Sequence, residues 1–247
     1  MKNYSYIGIS LIILIFGIIF IPRIVDTVSD REVVSSNRLS QEPEGKTDDA
    51  PMVYIEINGE KKRAPEFEFI NQEGDTISSD DYKGKVYVAE FFFATCPSIC
   101  PIMTANLVEV QTAFNGEEEF GIVSFTIDPK HDTPEVLRNY AELHGIEHPN
   151  WHLLTGEKDD LFELANSGFN LFAGEDSAAA GGFAHSGYFA LVDKEGYIRS
   201  RMDKFGNPLY AYRGSVENGT IVEPGEEEPQ IDILIQDIKK LLQDAGE

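Results

Sequence analysis

The stretch Val86 to Pro101, V-Y-V-A-E-F-F-F-A-T-C-P-S-I-C-P, constrains the fold most, because it joins a short apolar run to a helix start and holds both cysteines of the chain. Val86 to Phe93 is brief, aromatic and β-branched, which predicts a buried central strand rather than a helix. Pro101 suits the first turn of a helix, where its missing N–H would go unpaired anyway. Leu107, Val108, Val110 and Phe114 supply the apolar side of that helix. Both cysteines therefore fall in a strand-to-helix loop. The positive end of a helix dipole and its free N–H groups favour a thiolate, so Cys100 is expected to have a lowered pKa and to serve as a nucleophile or a metal ligand.

The spacing is C-x-x-x-C, one residue longer than the C-x-x-C of dithiol redox motifs. Pro97 and Pro101 push the cysteine before each of them away from helical backbone, so the loop is not continuous helix. A tight turn of this length can bring both sulfurs to one ion or into a disulfide. A purely structural staple is the alternative, but closing so small a ring removes only ~2 kcal/mol of chain entropy.

With 247 residues and 42% hydrophobic content, the chain can bury one core of ordinary size plus appendages. Forty-three acidic against 20 basic residues give a formal charge of −23, and no Lys/Arg cluster interrupts it, which argues against nucleic acid as a partner. Two cysteines so close together make no disulfide framework.

Tyr4 to Pro22 is an almost uncharged apolar run. At ~1.5 Å per residue it comes close to spanning a ~30 Å hydrocarbon core. It ends in I-P-R-I-V-D, with no small-x-small site for a signal peptidase and no following cysteine to take a lipid, so an uncleaved anchor is expected. Lys2 and the amino terminus on one side and an acidic chain on the other favour a cytoplasmic N-terminus, with Arg23 opposing. The absence of an Arg-rich transit segment points to a bacterial inner membrane, crossed once, with the bulk of the chain on the outer, periplasmic side. Polar Thr27 to Pro51 reads as a flexible tether.

Beyond it, Met52 to Ile57 and Glu66 to Ile70 read as strands, with turns at Asn58-Gly59 and Gly74. Phe120 to Asp128 is a second core strand, and Asp132 or Thr133 caps a helix whose stripe is Val136, Leu137, Tyr140 and Leu143. Trp151 to Leu154 is a short strand and Asp160 to Phe169 a further helix. This alternation implies parallel strands covered by helices. Ala173 to Gly182 is expected to be a mobile small-residue loop. Gly187 to Asp193 and Tyr197 to Met202 form a hairpin, and Phe205 to Gln230 is turn-rich. Ile231, Leu234, Ile235, Ile238, Leu241 and Leu242 make the docking stripe of a last helix.

The motifs F-F-F-A-T-C-P-S-I-C-P, T-I-D-P-K-H-D-T-P-E-V-L, W-H-L-L-T-G and A-H-S-G-Y-F-A-L-V-D-K-E-G occur in an order and spacing that resembles the Sco (SCO1/SenC) family of membrane-anchored copper-binding proteins, over roughly Ala64 to Leu242. The resemblance implies a thioredoxin-like α/β fold that binds copper, as Cu(I) or Cu(II), through Cys96, Cys100 and His185. It also implies a part in maturing the copper centre of cytochrome c oxidase, with the copper-bearing subunit or another copper chaperone as partner. The chain departs from the family at Ser98, where Asp is frequent, and at Ala184, where an acidic residue is frequent. The implied organisation is a membrane anchor over residues 1–25, a tether over 26–50 and a thioredoxin-like copper-binding domain over 51–247.

The residue chemistry agrees: two thiolates suit Cu(I), and an imidazole supplies a third bond. His131, His144, His148 and His152 have ordinary polar roles open to them, and Asp128 is read as a turn former before proline. A membrane-anchored thiol-disulfide oxidoreductase using Cys96 and Cys100 on an assembly partner is the competing function. Peroxidase action has no substrate-activating cluster to support it.

Overall fold

The computed structural model describes residues 50–244 except 180, 204, 205 and 224. The expected anchor and nearly all of the tether lie outside the described residues. Among the described residues no helix is long and apolar enough to cross a membrane.

The N-terminal strands are shorter than the sequence pattern suggests. Met52–Tyr54 (β1) is separate from Glu56–Ile57 (β2), which turns back into Glu60–Lys61 (β3). Asn58 and Gly59, at the turn, have φ of 56° and 82°, the pair of positive values that a tight two-residue hairpin needs. Glu68–Ile70 (β4) and Thr76–Ser78 (β5) form a second hairpin.

The core follows. Val86–Phe92 (β6) leads through the cysteine loop into Cys100–Ala113 (α1), then Phe120–Thr126 (β7), Pro134–His144 (α2), Trp151–Leu154 (β8) and Lys158–Glu163 (α3), which continues as a π-helical segment over Leu164–Phe169. Ala173–Glu175 (β9), Phe183–His185 (β10), Tyr188–Val192 (β11), Ile198–Arg201 (β12), Tyr212–Arg213 (β13) and Ile231–Gln243 (α4) complete the chain. Strands β6, β7 and β8 are parallel, as the βα alternation requires. The β11–β12 hairpin adds antiparallel to β6, Ala190 opposite Ala89, and β1 closes the far edge against β12.

Every residue of β6 and β7 is buried, and the alternation sorts their side chains between two faces. Phe91 and Phe125 stack with centroids 5.2 Å apart, and Phe67, Phe69 and Phe169 pack around this pair from the N-terminal strands and the π segment. Phe92 points the other way, onto Tyr140 of α2. Helix α1 packs against both α2 and α4.

Three expectations are corrected. The stripe of α2 is Leu137, Tyr140 and Ala141, while Leu143, one residue before the helix ends at a left-handed Gly145 cap, is 80% exposed. Ala173 to Gly182 is not a featureless loop: Ala173–Glu175 pairs antiparallel with Phe183–His185, and Ala173 is buried. The turn-rich segment after β12 contains β13, held to β11 by pairing of Tyr188 with Arg213.

Candidate metal centre

The cysteine loop is fixed at its start by a side chain from another loop. Asp132, fully buried, accepts hydrogen bonds from the Ala94 N–H (3.0 Å), the Thr126 hydroxyl (2.5 Å) and His131 Nδ1 (2.8 Å). Thr133, not Asp132, caps α2. The sequence offered both as caps because both residue types suit that position, and nothing local marks Asp132 as a long-range anchor. The backbone then turns, the Cys96 N–H donating to Phe93 O, and α1 starts at Cys100 with Pro101 in its first turn.

His185 ends β10, and β9 carries that strand over the cysteine loop. Phe93 lies edge-on beneath the imidazole with centroids 6.0 Å apart and also packs on Phe183. His185 Nδ1 lies 3.2 Å from the Ser186 carbonyl, which can only accept, so Nδ1 carries the proton and Nε2 presents its lone pair. That lone pair faces Cys100 Sγ at 3.1 Å. Cys96 Sγ lies 3.6 Å from the Ser98 hydroxyl. Ligand atoms of Cys96, Cys100 and His185 all lie within 4.8 Å of one another, with both thiols free and buried.

The two thiols are electrostatically unequal. Cys96 is held well below the usual thiol range, chiefly by its interaction with the Cys100 thiol and against the opposing effect of burial. Cys100 is pushed well above that range by its interaction with Cys96 and by burial, with the Cys96 and Glu90 charges adding to the rise. At Cys100, burial and the neighbouring thiol oppose the lowering that a helix end supplies.

Glu90, in the middle of β6, was not picked out by sequence. Burial raises its carboxyl to about 7, against a hydrogen bond from Ser124, whose hydroxyl donates to Oε1 at 2.7 Å. Because the folded value lies above the unfolded one, this group's contribution to stability is complete below the ordinary carboxyl pKa and is lost as pH rises toward 7. Glu90→Gln should therefore gain on wild type by about 2–3 kcal/mol between pH 4.5 and 8. Parallel denaturation curves across that range check this, and a mutant-to-wild-type difference independent of pH would refute it.

A parallel strand core flanked by an antiparallel hairpin, with a dithiol loop running into a helix, defines a thioredoxin-like α/β domain in which two thiols converge on one imidazole. The chain belongs to the SCO1/SenC family, whose model matches residues 56–213, more than half of its length. It is 33% identical over 150 residues to the SCO1 protein homolog of Bacillus subtilis (strain 168), a match covering 58% of this chain and 75% of that protein. Among solved structures, a SCO1/SenC family lipoprotein from Bacillus anthracis str. Ames is similar with a TM-score of 0.60 and 29% identity, covering 74% of this chain and 96% of the other. BsSco, a member of the Sco family of cytochrome c oxidase assembly proteins in which a disulfide switch was identified, aligns with a TM-score of 0.58 and 27% identity, covering 74% and 95%.

Proposed function

We infer that the domain binds one copper ion through Cys96 Sγ, Cys100 Sγ and His185 Nε2 and delivers it during assembly of the copper centre of cytochrome c oxidase. The observation that carries this reading is the convergence of two thiols and one imidazole nitrogen within 4.8 Å of one another. Two soft sulfur donors and a nitrogen suit Cu(I) better than harder ions. Burial of the cysteines keeps water from competing. The receiving partner is the copper-bearing oxidase subunit or another copper chaperone, in line with the assembly role described for BsSco. Tyr4 to Pro22 would anchor the chain in the bacterial inner membrane, with residues 26–50 as tether and 51–247 on the outer side.

Two free thiols side by side also fit a second activity at the same residues, thiol-disulfide exchange with an assembly partner. The readily ionised Cys96 attacks a partner disulfide, forming a mixed disulfide and releasing one partner thiolate. Cys100 then loses its proton and displaces the second partner thiol. The partner gains two electrons, one proton from Cys100 and one from solvent, and this chain is left with a Cys96–Cys100 disulfide.

Competition titration of the reduced full-length chain with a Cu(I) chelator tests the copper reading. One equivalent should bind tightly. His185→Ala should weaken it by more than the roughly 10–100-fold typical of losing a group that only supports a ligand. Equal affinities for the two proteins would remove His185 from the site.

A further inference from the structure

A metal centre built from one helix and one strand needs something to hold the two at a fixed distance. Cys100 starts α1, whereas His185 ends β10, 85 residues later. The segment after His185 is clamped from the far side. Gly187 O accepts hydrogen bonds from the backbone N–H groups of Gly214 (2.7 Å) and Ser215 (3.1 Å). The loop bearing these donors is in turn gripped by Asn106, six residues beyond Cys100 on the same helix. Asn106 is 1% exposed, donates through Nδ2 to the carbonyls of Gly214 (2.9 Å) and Val216 (2.8 Å), and accepts the Asn218 N–H at Oδ1 (3.0 Å). One amide thus uses both donors and an acceptor on a single loop.

The approach is close enough to exclude a side chain. A Cβ on Gly187 would lie 2.4 Å from Ser215 Cβ and 3.5 Å from Ile99 Cδ1, and Ile99 is the residue immediately before Cys100. Gly187 is therefore pressed against the clamping loop, with the residue before α1 in ordinary contact range. A Cβ at Gly214 would likewise run into the Phe189 ring at 2.3 Å.

We propose that Asn106 is a positioning residue for the candidate centre: through the Gly214–Val216 loop and the Gly187 carbonyl, it sets the separation of His185 Nε2 from Cys100 Sγ. The copper-binding test rests on the function proposed above; the geometric one does not. The Asn106 side chain hydrogen-bonds the Gly214–Asn218 loop and acts through backbone carbonyls that a smaller side chain could not reach. Losing it releases the loop, and the histidine arm moves relative to the helix.

Three measurements on the full-length chain test this. In the reduced, metal-free protein, the imidazole ¹⁵N resonances of His185 should shift in Asn106→Ala, because the contact between Nε2 and the Cys100 thiol is loosened. Unchanged resonances would overturn the proposal whether or not the protein binds copper. In the Cu(I) competition titration, Asn106→Ala should weaken binding by about 10–100-fold, the range for groups that orient a ligand. In a His185→Ala background the same substitution should have no further effect. An equal loss in both backgrounds would make Asn106 a general structural residue and sink the idea. Should Asn106→Ala fail to fold, Gly187→Ala does the reverse experiment: it should push the arm away and weaken binding, and adding Ser215→Gly, which removes the colliding atoms, should restore it. No loss in Gly187→Ala, or no rescue by the second change, overturns the proposal. If wild type and His185→Ala bind copper alike, the copper reading fails, while the resonance shift still decides the positioning claim.

Discussion

Replacing Cys96 and Cys100 together by serine is expected to abolish tight Cu(I) binding while leaving the domain folded. A serine hydroxyl stays protonated and is a hard donor, so the exchange removes two of three bonds to a soft ion rather than weakening them. The loss should exceed the ~100-fold upper range for groups that only orient a ligand. The fold should survive because the hydroxyls meet polar neighbours: Ser98 lies beside Cys96, and the His185 lone pair faces Cys100. The cost of placing hydroxyls in these buried positions is then about 1–3 kcal/mol. Anaerobic competition titration beside a thermal melt separates the two outcomes. Copper bound as tightly by the serine variant as by wild type would discard the proposed donor set. Oxidation should mimic the substitution reversibly, since a Cys96–Cys100 disulfide and a metal need the same sulfurs.

The sequence was legible where local chemistry and periodicity agreed. The β6 strand, the loop and α1 could be read because an apolar aromatic run, two cysteines and a proline at a helix start each mark position independently. The hairpin β11–β12 was legible from alternation around Lys194-Glu195-Gly196, and its pairing with β6 is what carries the histidine arm alongside the cysteines.

What stayed hidden is long-range and polar. Asp132, Asn106 and Glu90 are all at most 1% exposed, and each acts on a partner more than 30 residues away. In sequence they look like an ordinary cap, an ordinary helix residue and an odd charge within a strand. Only Glu90 left a trace, as an acidic residue inside an otherwise apolar run. The β9–β10 pair was missed for a different reason: alanine and glycine carry little strand preference, so pairing rests on backbone bonds and on the aromatic contact between Phe183 and Phe93. The coupling of the two thiols was hidden as well, because a helix end marks one cysteine at a time whereas each thiol here acts on the other.

The largest stability effect is expected at Asp237, on the inner side of α4. Its carboxylate is fully buried and takes hydrogen bonds from Arg201 Nε (2.6 Å), Arg201 Nη2 (2.7 Å) and the Tyr212 hydroxyl (2.7 Å). One side chain thereby ties the last helix to β12 and β13. Asp237→Ala should destabilise the protein by about 3–5 kcal/mol, because it takes the counter-charge from a guanidinium that is only 3% exposed. At roughly 2–4 °C per kcal/mol for a domain of this size, the melting temperature should fall by about 10 °C. Asp237→Asn, which keeps an acceptor for Tyr212 or Arg201 but not the charge, should fall between. Burial of the pair is not by itself stabilising, since desolvating two charges offsets much of their attraction. The double variant Arg201→Leu, Asp237→Leu should therefore recover most of what the single change loses. Chemical denaturation of wild type, Arg201→Leu, Asp237→Leu and the double variant gives the coupling energy directly. A single-mutant loss below about 1 kcal/mol would mean that α4 is held by Ile231, Leu234, Ile238 and Leu241 alone, with the ion pair contributing orientation rather than stability.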